Sequence, residues 1–299
     1  MTRSVAPPPL ARAVLPERVE MVVLDLDGTC LDFHQQLHPR VEAAVRQAGE
    51  RVPVAIATGR MYRSALPWAR RLGVRSPLIC YQGALVQAMP DPDPGEGLVY
   101  GRLISSETLD AATAQLAIAV AREHGWHRQA YVDDNLFCEE DRAEARLYAH
   151  VGAVPIEFVD DLALAVAGGT FKVVIVILDA EQAVRCRVAM TDALGARARV
   201  TPSYPQFIEI ASPRAGKGPA VRRLAANLGV DLARTVAIDV YKRQPGVPPR
   251  RGPGRPRAGA GDEPMRAGED RTLPAPSRWT PPSRGAGMHH ALTRTSHPD

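Results

Sequence analysis

The chain has 299 residues, with 37 Lys/Arg against 33 Asp/Glu and a formal net charge of +4 at pH 7. Eleven of the basic residues, against six acidic ones, lie in residues 239–299, so the remainder is close to neutral and its charge gives no support to nucleic-acid binding. No stretch approaches the roughly 18 apolar residues that a membrane span needs, and residues 1–20 lack the continuous apolar segment of a signal peptide. These features predict a cytoplasmic protein that uses neither nucleic acid nor membrane as a partner.

The four cysteines, Cys30, Cys80, Cys138 and Cys186, are widely spaced and form no C-x-x-C pair. Most of them fall in apolar segments, which favours buried, reduced thiols over a disulfide or zinc framework.

The first predicted strand carries the strongest chemical signal. The apolar run at 21–24 is typical of a strand buried on both faces, and it stops on Asp25 and Asp27, followed by Gly28. In open α/β sheets, ligands bind at the carboxyl ends of such strands. Two carboxylates this close raise each other's pKa, so a bound cation or a cationic side chain would keep both ionised. A solvated Asp-Gly turn is the alternative, but the apolar residues before it favour a reaction site.

Strands then alternate with helical patterns. The predicted elements are a helix at 39–50, a strand at 54–57, a helix at 62–72 and a strand at 78–81. Right-handed crossovers would make these strands parallel. The second strand ends at Thr58, Gly59 and Arg60, and the Pro- and Gly-rich stretch at 90–97 indicates a linker.

The linker precedes a second unit with its own pattern. Its predicted elements are a helix at 105–123, strands at 129–132, 156–159 and 171–178, and a helix at 180–194. An acidic turn at 131–135 is interpreted as a surface hairpin and is not predicted to contact substrate. A strand at 207–210 then leads to Gly216-Lys217-Gly218 and a helix, and a last strand is predicted at 235–238.

The order of these motifs resembles that of the haloacid dehalogenase-like (HAD) phosphohydrolases. Residues 25–29 resemble the first motif of that family, residues 54–60 the second, and residues 207–218 the lysine motif of its Cof-type subfamily. Residues 79–84 are similar to the strand and Asn-Gly-Ala turn of that subfamily, with Gln82 in place of the asparagine. The resemblance covers about residues 19–238. It implies an α/β fold, with a parallel Rossmann-like core and an inserted α/β cap of the C2 type.

Together these patterns predict a division of the chain into five segments. They are a flexible leader at 1–18, the first part of the core at 19–86, the cap at 87–205, a truncated second part of the core at 206–238, and a disordered tail at 239–299.

The chain departs from the family after residue 238. The family would continue with Gly-Asp and a loop ending in Asn-Asp, but residues 239–244 read Asp-Val-Tyr-Lys-Arg-Gln, which resembles the translation of a transposon-type sequencing adapter. About half of residues 245–299 are Pro, Gly or Arg, a composition that predicts disorder. We interpret this part as non-native sequence, with a genuine disordered basic tail as the alternative. Because side chains alternate along a strand, the Asp239 carboxylate is expected to point away from Asp25.

The resemblance implies a Mg²⁺-dependent phosphatase that hydrolyses small phosphorylated metabolites, such as sugar phosphates, through an aspartyl phosphate. Asp25 would be the nucleophile and Asp27 the general acid and base. Thr58, Gly59 and Lys217 would bind the phosphoryl group.

The same resemblance implies the metal ligands. Mg²⁺ would be held by the Asp25 carboxylate, the Asp27 main-chain carbonyl and a fourth-motif aspartate, for which Asp239 is a poor substitute. Arg60 and Arg63 could reach the phosphate of a substrate, but as residues at the start of a helix they are predicted to be solvated. An inactive truncated fragment, a non-catalytic protein and a phosphomutase on the same fold remain alternatives, and the activity of the chain as written and its oligomeric state stay open.

Overall fold

The computed structural model describes residues 15–32, 34–90, 100–152 and 154–239. Most of the predicted leader, residues 91–97 of the predicted linker and residues 240–299 lie outside these ranges. The predictions of a flexible leader and a disordered tail therefore fall outside the described residues. Within the described ranges, no helix is long and apolar enough to cross a bilayer.

Strands and helices alternate along the described part of the chain. In chain order they are β1 (Met21–Leu24), α1 (Pro39–Gly49), β2 (Val54–Ile56), α2 (Tyr62–Arg71), β3 (Leu78–Cys80), β4 (Leu85–Gln87), β5 (Leu103–Ser106), α3 (Ala111–Glu123), β6 (His127–Val132), β7 (Asn135–Cys138), α4 (Ala143–Gly152), β8 (Ile156–Phe158), α5 (Leu162–Ala165), β9 (Lys172–Val176), α6 (Ala180–Leu194), β10 (Arg199–Tyr204), β11 (Phe207–Ala211), α7 (Lys217–Leu228) and β12 (Thr235–Ile238). The predicted α/β fold is confirmed.

The core is built on parallel strands in the order β12–β1–β2. A parallel bridge between Ala57 and Ile79 continues this arrangement to β3, which pairs antiparallel with β4 and so leads to β5. Both faces of β2 are buried: Ile56 joins one hydrophobic cluster and Ala55 another. That double burial explains the unbroken apolar run, because helices cover both faces of a parallel sheet.

The cap is a six-stranded sheet in the order β10–β11–β9–β6–β7–β8. Its outer face is covered by α3 and α6, whose Ile118 and Met190 cluster with Ile175 and Ile208. Its inner face carries Tyr131 together with residues of β9 and β11, and these cluster with side chains of the core. The inner face is therefore directed toward the carboxyl ends of the core strands.

Two predicted boundaries are wrong. The helix expected from residue 105 begins at Ala111, because Asp110 caps it by accepting the N–H of Thr113, while Ser105 and Ser106 pair in β5. Residues 207–211, predicted to belong to the second part of the core, form β11, which lies between β9 and β10 in the cap sheet. The cap therefore extends to Ala211, and the other boundaries of the predicted division stay predictions.

Candidate active site

Asp25 lies at the carboxyl end of β1, as expected, and its side chain is only 12% exposed. One carboxylate oxygen, Oδ1, accepts a hydrogen bond from Lys217 Nζ at 2.7 Å, and the other faces the Thr29 hydroxyl at 3.4 Å. Burial raises the pKa of Asp25, and Lys217 opposes that rise by stabilising the ionised form. The fold thus joins two predicted site residues that are 192 positions apart.

The position of Lys217 depends on a close approach of two backbones. Lys217 is the first residue of α7, and it follows Gly216. A Cβ on Gly83 would lie 2.2 Å from the Gly216 carbonyl oxygen and 2.7 Å from the Lys217 nitrogen. Gly83 also has a φ of +94°, which side chains rarely tolerate. The turn after β3 therefore requires glycine there to let the start of α7 approach.

Asp27 is paired with Arg60, a residue predicted to be solvated. Arg60 donates from Nη2 to Asp27 Oδ1 at 2.7 Å and from Nε to Oδ2 at 3.0 Å, and its side chain is 8% exposed. This fork-on-carboxylate geometry fixes the orientation of Asp27. The prediction of a solvated Arg60 is wrong, because the loop after β2 turns the guanidinium toward the end of β1. Arg63 is also partly buried, with its Nε 3.8 Å from Asp134.

Thr58 and Gly59 occupy different surroundings. Gly59 lines the cavity above Asp25, whereas Thr58 is fully buried, and its hydroxyl accepts the backbone N–H of Arg60 at 3.1 Å. The Thr58 hydroxyl therefore shapes the turn that carries Gly59 and Arg60.

Asp239 lies on the same side of the sheet as Asp25, contrary to expectation. Its carboxylate is 3.3 Å from Lys217 Nζ and lines the same cavity. The chain leaves regular strand geometry after Ile238, so the alternation of side chains no longer applies at Asp239. Among residues 15–239 as far as they are described, no three His, Cys, Asp or Glu side chains are grouped as a metal site.

A cavity of about 320 Å³ separates these core residues from the inner face of the cap. Its cap wall contains a buried ion pair, in which Lys172 Nζ donates to Glu209 Oε1 at 2.8 Å. Burial disfavours the charged lysine, but the Glu209 carboxylate outweighs it and raises the pKa of Lys172. Aromatic side chains complete the wall: Tyr131, Tyr148, Tyr204 and Phe207.

Sequence reasoning missed the residues of the cap wall, although a signal for them exists. Lys172 and Glu209 each interrupt an otherwise apolar strand, in Phe-Lys-Val-Val and Phe-Ile-Glu-Ile. A charged residue inside such a run is rarely fully buried unless it is paired. The two interruptions could therefore have been matched as partners.

A parallel α/β core, two aspartates at the end of its first strand and an inserted α/β cap define the haloacid dehalogenase-like class. The family profile of the haloacid dehalogenase-like hydrolases matches residues 22–238. The chain belongs to this family, and the predicted phosphatase class is confirmed.

Individual relatives agree with this assignment. The HMP-PP phosphatase of Cronobacter sakazakii is 25% identical over 215 residues, which cover 72% of this chain and 75% of that protein. The crystal structure of TM0651 from Thermotoga maritima has a TM-score of 0.64 and 26% identity, covering 73% of this chain and 79% of that one. A haloacid dehalogenase-like hydrolase from Bacteroides thetaiotaomicron has a TM-score of 0.66 at 18% identity, covering 74% and 82%.

Proposed function

We propose that this protein is a Mg²⁺-dependent phosphatase that hydrolyses small phosphorylated metabolites through an aspartyl phosphate on Asp25. The observation that carries the proposal is the contact between the Asp25 carboxylate and the Lys217 ammonium at the floor of a capped cavity. An oxygen nucleophile beside a fixed cation suits the attack of an anion on a phosphate ester, because the cation offsets repulsion between like charges.

The residues present support a two-step displacement. Asp25 would attack phosphorus in line as the bond to the ester oxygen breaks, and Asp27, which must be protonated when substrate is bound, would donate its proton to the departing oxygen. Asp27 would then accept a proton from the water that attacks the aspartyl phosphate, which releases phosphate and regenerates Asp25. Arg60 would hold the Asp27 carboxylate in position for both transfers, and Lys217 would stabilise charge on the phosphoryl oxygens.

The donor set fits a magnesium ion. The carboxylates of Asp25 and Asp239 both meet the Lys217 ammonium, so one cation can already be placed between them. Two carboxylates and the Asp27 main-chain carbonyl are the hard oxygen donors that Mg²⁺ binds alongside several waters. Bound there, Mg²⁺ would polarise the phosphoryl group and screen its charge from the nucleophile. In the chain as written, Asp239 would therefore serve as a ligand, although residues 239–244 resemble an adapter sequence and not the Gly-Asp of the family.

The cap wall favours a small, uncharged and hydrogen-bonding leaving group. Lys172 and Glu209 together carry no net charge, and they offer a donor and an acceptor side by side. The surrounding aromatic rings can cover the apolar face of a ring-shaped leaving group. A sugar phosphate meets these requirements, whereas the Cronobacter relative is named for a different substrate, HMP-PP.

Metal removal tests the proposal. The purified chain should release phosphate from para-nitrophenyl phosphate and from hexose phosphates when Mg²⁺ is present. Excess EDTA should abolish release, because it withdraws Mg²⁺ from the Asp25 and Asp239 oxygens, and added Mg²⁺ should restore it. Failure to hydrolyse any ester with Mg²⁺ present would favour the non-catalytic alternative.

The ion pair in the cap should control substrate choice. Replacing both partners in Lys172→Met/Glu209→Leu leaves no buried unpaired charge, so the protein should fold with little loss of stability. We expect kcat/KM for hexose phosphates to fall roughly 10- to 10³-fold through lost hydrogen bonds, with para-nitrophenyl phosphate hydrolysis nearly unchanged. Steady-state kinetics on both substrates measures the ratio. An equal loss on both would mean that the pair supports the fold and does not read the leaving group.

A further inference from the structure

The turn between β6 and β7 places one cap carboxylate, that of Asp134, against the core. Val132 pairs with Asn135, and the two turn residues, Asp133 and Asp134, have φ of 48° and 60°. This left-handed pair is the backbone of a tight two-residue hairpin, and Asp tolerates it better than most residues. Asp133 is exposed, whereas Asp134 is 4% exposed. The turn therefore buries the Asp134 side chain and leaves that of its neighbour, Asp133, in solvent.

The Asp134 carboxylate receives hydrogen bonds from two backbone and two phenolic donors of the core. The donors are Tyr62 N at 2.8 Å, Arg63 N at 2.8 Å, Tyr81 OH at 2.6 Å and Tyr100 OH at 3.1 Å. The two oxygens share these donors evenly, and Arg63 Nε lies 3.8 Å from the carboxylate, so the buried charge is compensated by hydrogen bonds and by a nearby cation.

The two backbone donors are the first N–H groups of α2. A helix leaves its first N–H groups without intrahelical partners, and a side chain of the preceding residue usually accepts one. Met61, which precedes α2, makes no such hydrogen bond. Asp134, 72 positions from Tyr62, takes that role, and its negative charge also suits the positive end of the helix.

Tyr81 reinforces the same contact. Its backbone is left-handed, with φ of 51°, and its ring stacks at 4.5 Å on Phe171, the residue before the cap strand β9. Burial and the neighbouring Asp134 raise the pKa of Tyr81, so its phenol stays protonated and can donate. A left-handed backbone at a residue other than glycine costs free energy, and it persists at Tyr81 because the contacts with Phe171 and Asp134 hold it in place.

We propose that Asp134 is a positioning residue: by capping α2 of the core, it holds the cap wall over the Asp25 site. The helix it caps begins directly after Arg60 and Met61, so the cap and the Arg60–Asp27 pair share one anchor. The link to catalysis rests on the proposed function, but the anchoring by Asp134 can be tested without turnover.

Cap position can be measured with two spin labels. Gln47→Cys on α1 and Val188→Cys on α6 place one label on the core and one on the cap, both at exposed positions. The four native thiols are buried, and burial raises the pKa of Cys30 to about 11 and of Cys186 to about 12, so the new cysteines should react first. The full chain should give a single narrow distance distribution by electron–electron double resonance.

The matched pair is Asp134→Asn and Asp133→Asn, which remove the same charge from the same turn. We expect a clearly broadened distribution for Asp134→Asn and still more for Asp134→Ala, with no change for Asp133→Asn. An unchanged narrow distribution in Asp134→Ala would overturn the proposal. Should the Asp134 variants fail to fold, Tyr81→Phe removes only the 2.6 Å hydrogen bond. It should still broaden the distribution, and an unchanged one would count against anchoring by Asp134.

Hydrogen exchange separates positioning from general stability. In Asp134→Asn, the amides of Tyr62 and Arg63 should exchange about 10- to 100-fold faster, while those of β1 and β2 keep their protection. Uniformly faster exchange would mean that Asp134 only stabilises the fold, and would overturn the proposal. Neither measurement requires activity, so a protein without phosphatase activity would refute the proposed function and leave the anchoring role standing.

Discussion

Asp25→Asn is expected to abolish phosphate release and the formation of a covalent phosphoenzyme. An amide is a poor nucleophile and a poor ligand for a divalent cation, so both functions assigned to the carboxylate disappear together. The substitution keeps size and shape. It also removes a charge that burial disfavours, so the fold should survive.

The measurement is twofold: phosphate release under Mg²⁺, and acid-quenched labelling of the protein with a radiolabelled phosphate ester. Asp27→Asn serves as the comparison, because loss of acid–base catalysis typically costs about 10²–10⁴-fold and leaves the nucleophile in place. Asp133→Asn, exposed in the cap hairpin, should retain full activity. Undiminished hydrolysis by Asp25→Asn would refute the aspartyl-phosphate mechanism.

Gly83→Ala is expected to destabilise the protein strongly, although it adds only one methyl group. The added Cβ would meet the Gly216 carbonyl oxygen at 2.2 Å and the Lys217 nitrogen at 2.7 Å, and backbone atoms are not free to move aside. A left-handed φ of +94° adds conformational strain. Strain and overpacking together should lower the free energy of unfolding by about 2–5 kcal/mol.

The same substitution should reduce activity in the fraction that folds. Displacing the start of α7 moves Lys217 away from Asp25, and a misplacement of about 1 Å can cost roughly 10²-fold in rate. Urea unfolding and steady-state kinetics measure the two effects.

Gly49→Ala is the matched control. Gly49 ends α1, and outside its chain neighbours and the backbone of its own helix no atom lies within 4 Å of the position that its Cβ would occupy. The variant should therefore gain up to about 0.5–1 kcal/mol from helix propensity. Equal stability of the two alanine variants would show that the loop after β3 and α7 can separate without cost.

Local sequence patterns were sufficient to predict the class of fold and the pair of aspartates at the end of its first strand. The run at 21–24 and the aspartates after it contain, within nine residues, a buried strand and the chemistry at its end. The helices at 39–49 and 180–194 can likewise be predicted from the sequence, because a 3.6-residue period and capping residues are local features. Local signals of this kind need no knowledge of distant partners.

Which groups a charged side chain contacts depends on tertiary structure. Arg60 reaches Asp27 over 33 positions, Lys172 reaches Glu209 over 37, and Asp134 reaches Tyr62 over 72. Arg60 and Asp134 look like solvated surface charges when only their neighbours in the chain are considered, whereas the apolar residues around Lys172 and Glu209 do indicate that these two are buried.

The dependence on tertiary contacts also explains why the strand at 207–211 lies in the cap and not, as predicted, in the core. Its apolar pattern suits a buried strand of either sheet, and hydrogen bonds to β9 and β10, which no local pattern encodes, place it in the cap. Asp239 shows the reverse case, in which alternation along β12 predicted the wrong side because the strand ends at Ile238. Sequence periodicity determines what an element buries, whereas pairing between elements determines where that element lies and which charged groups it brings to the site.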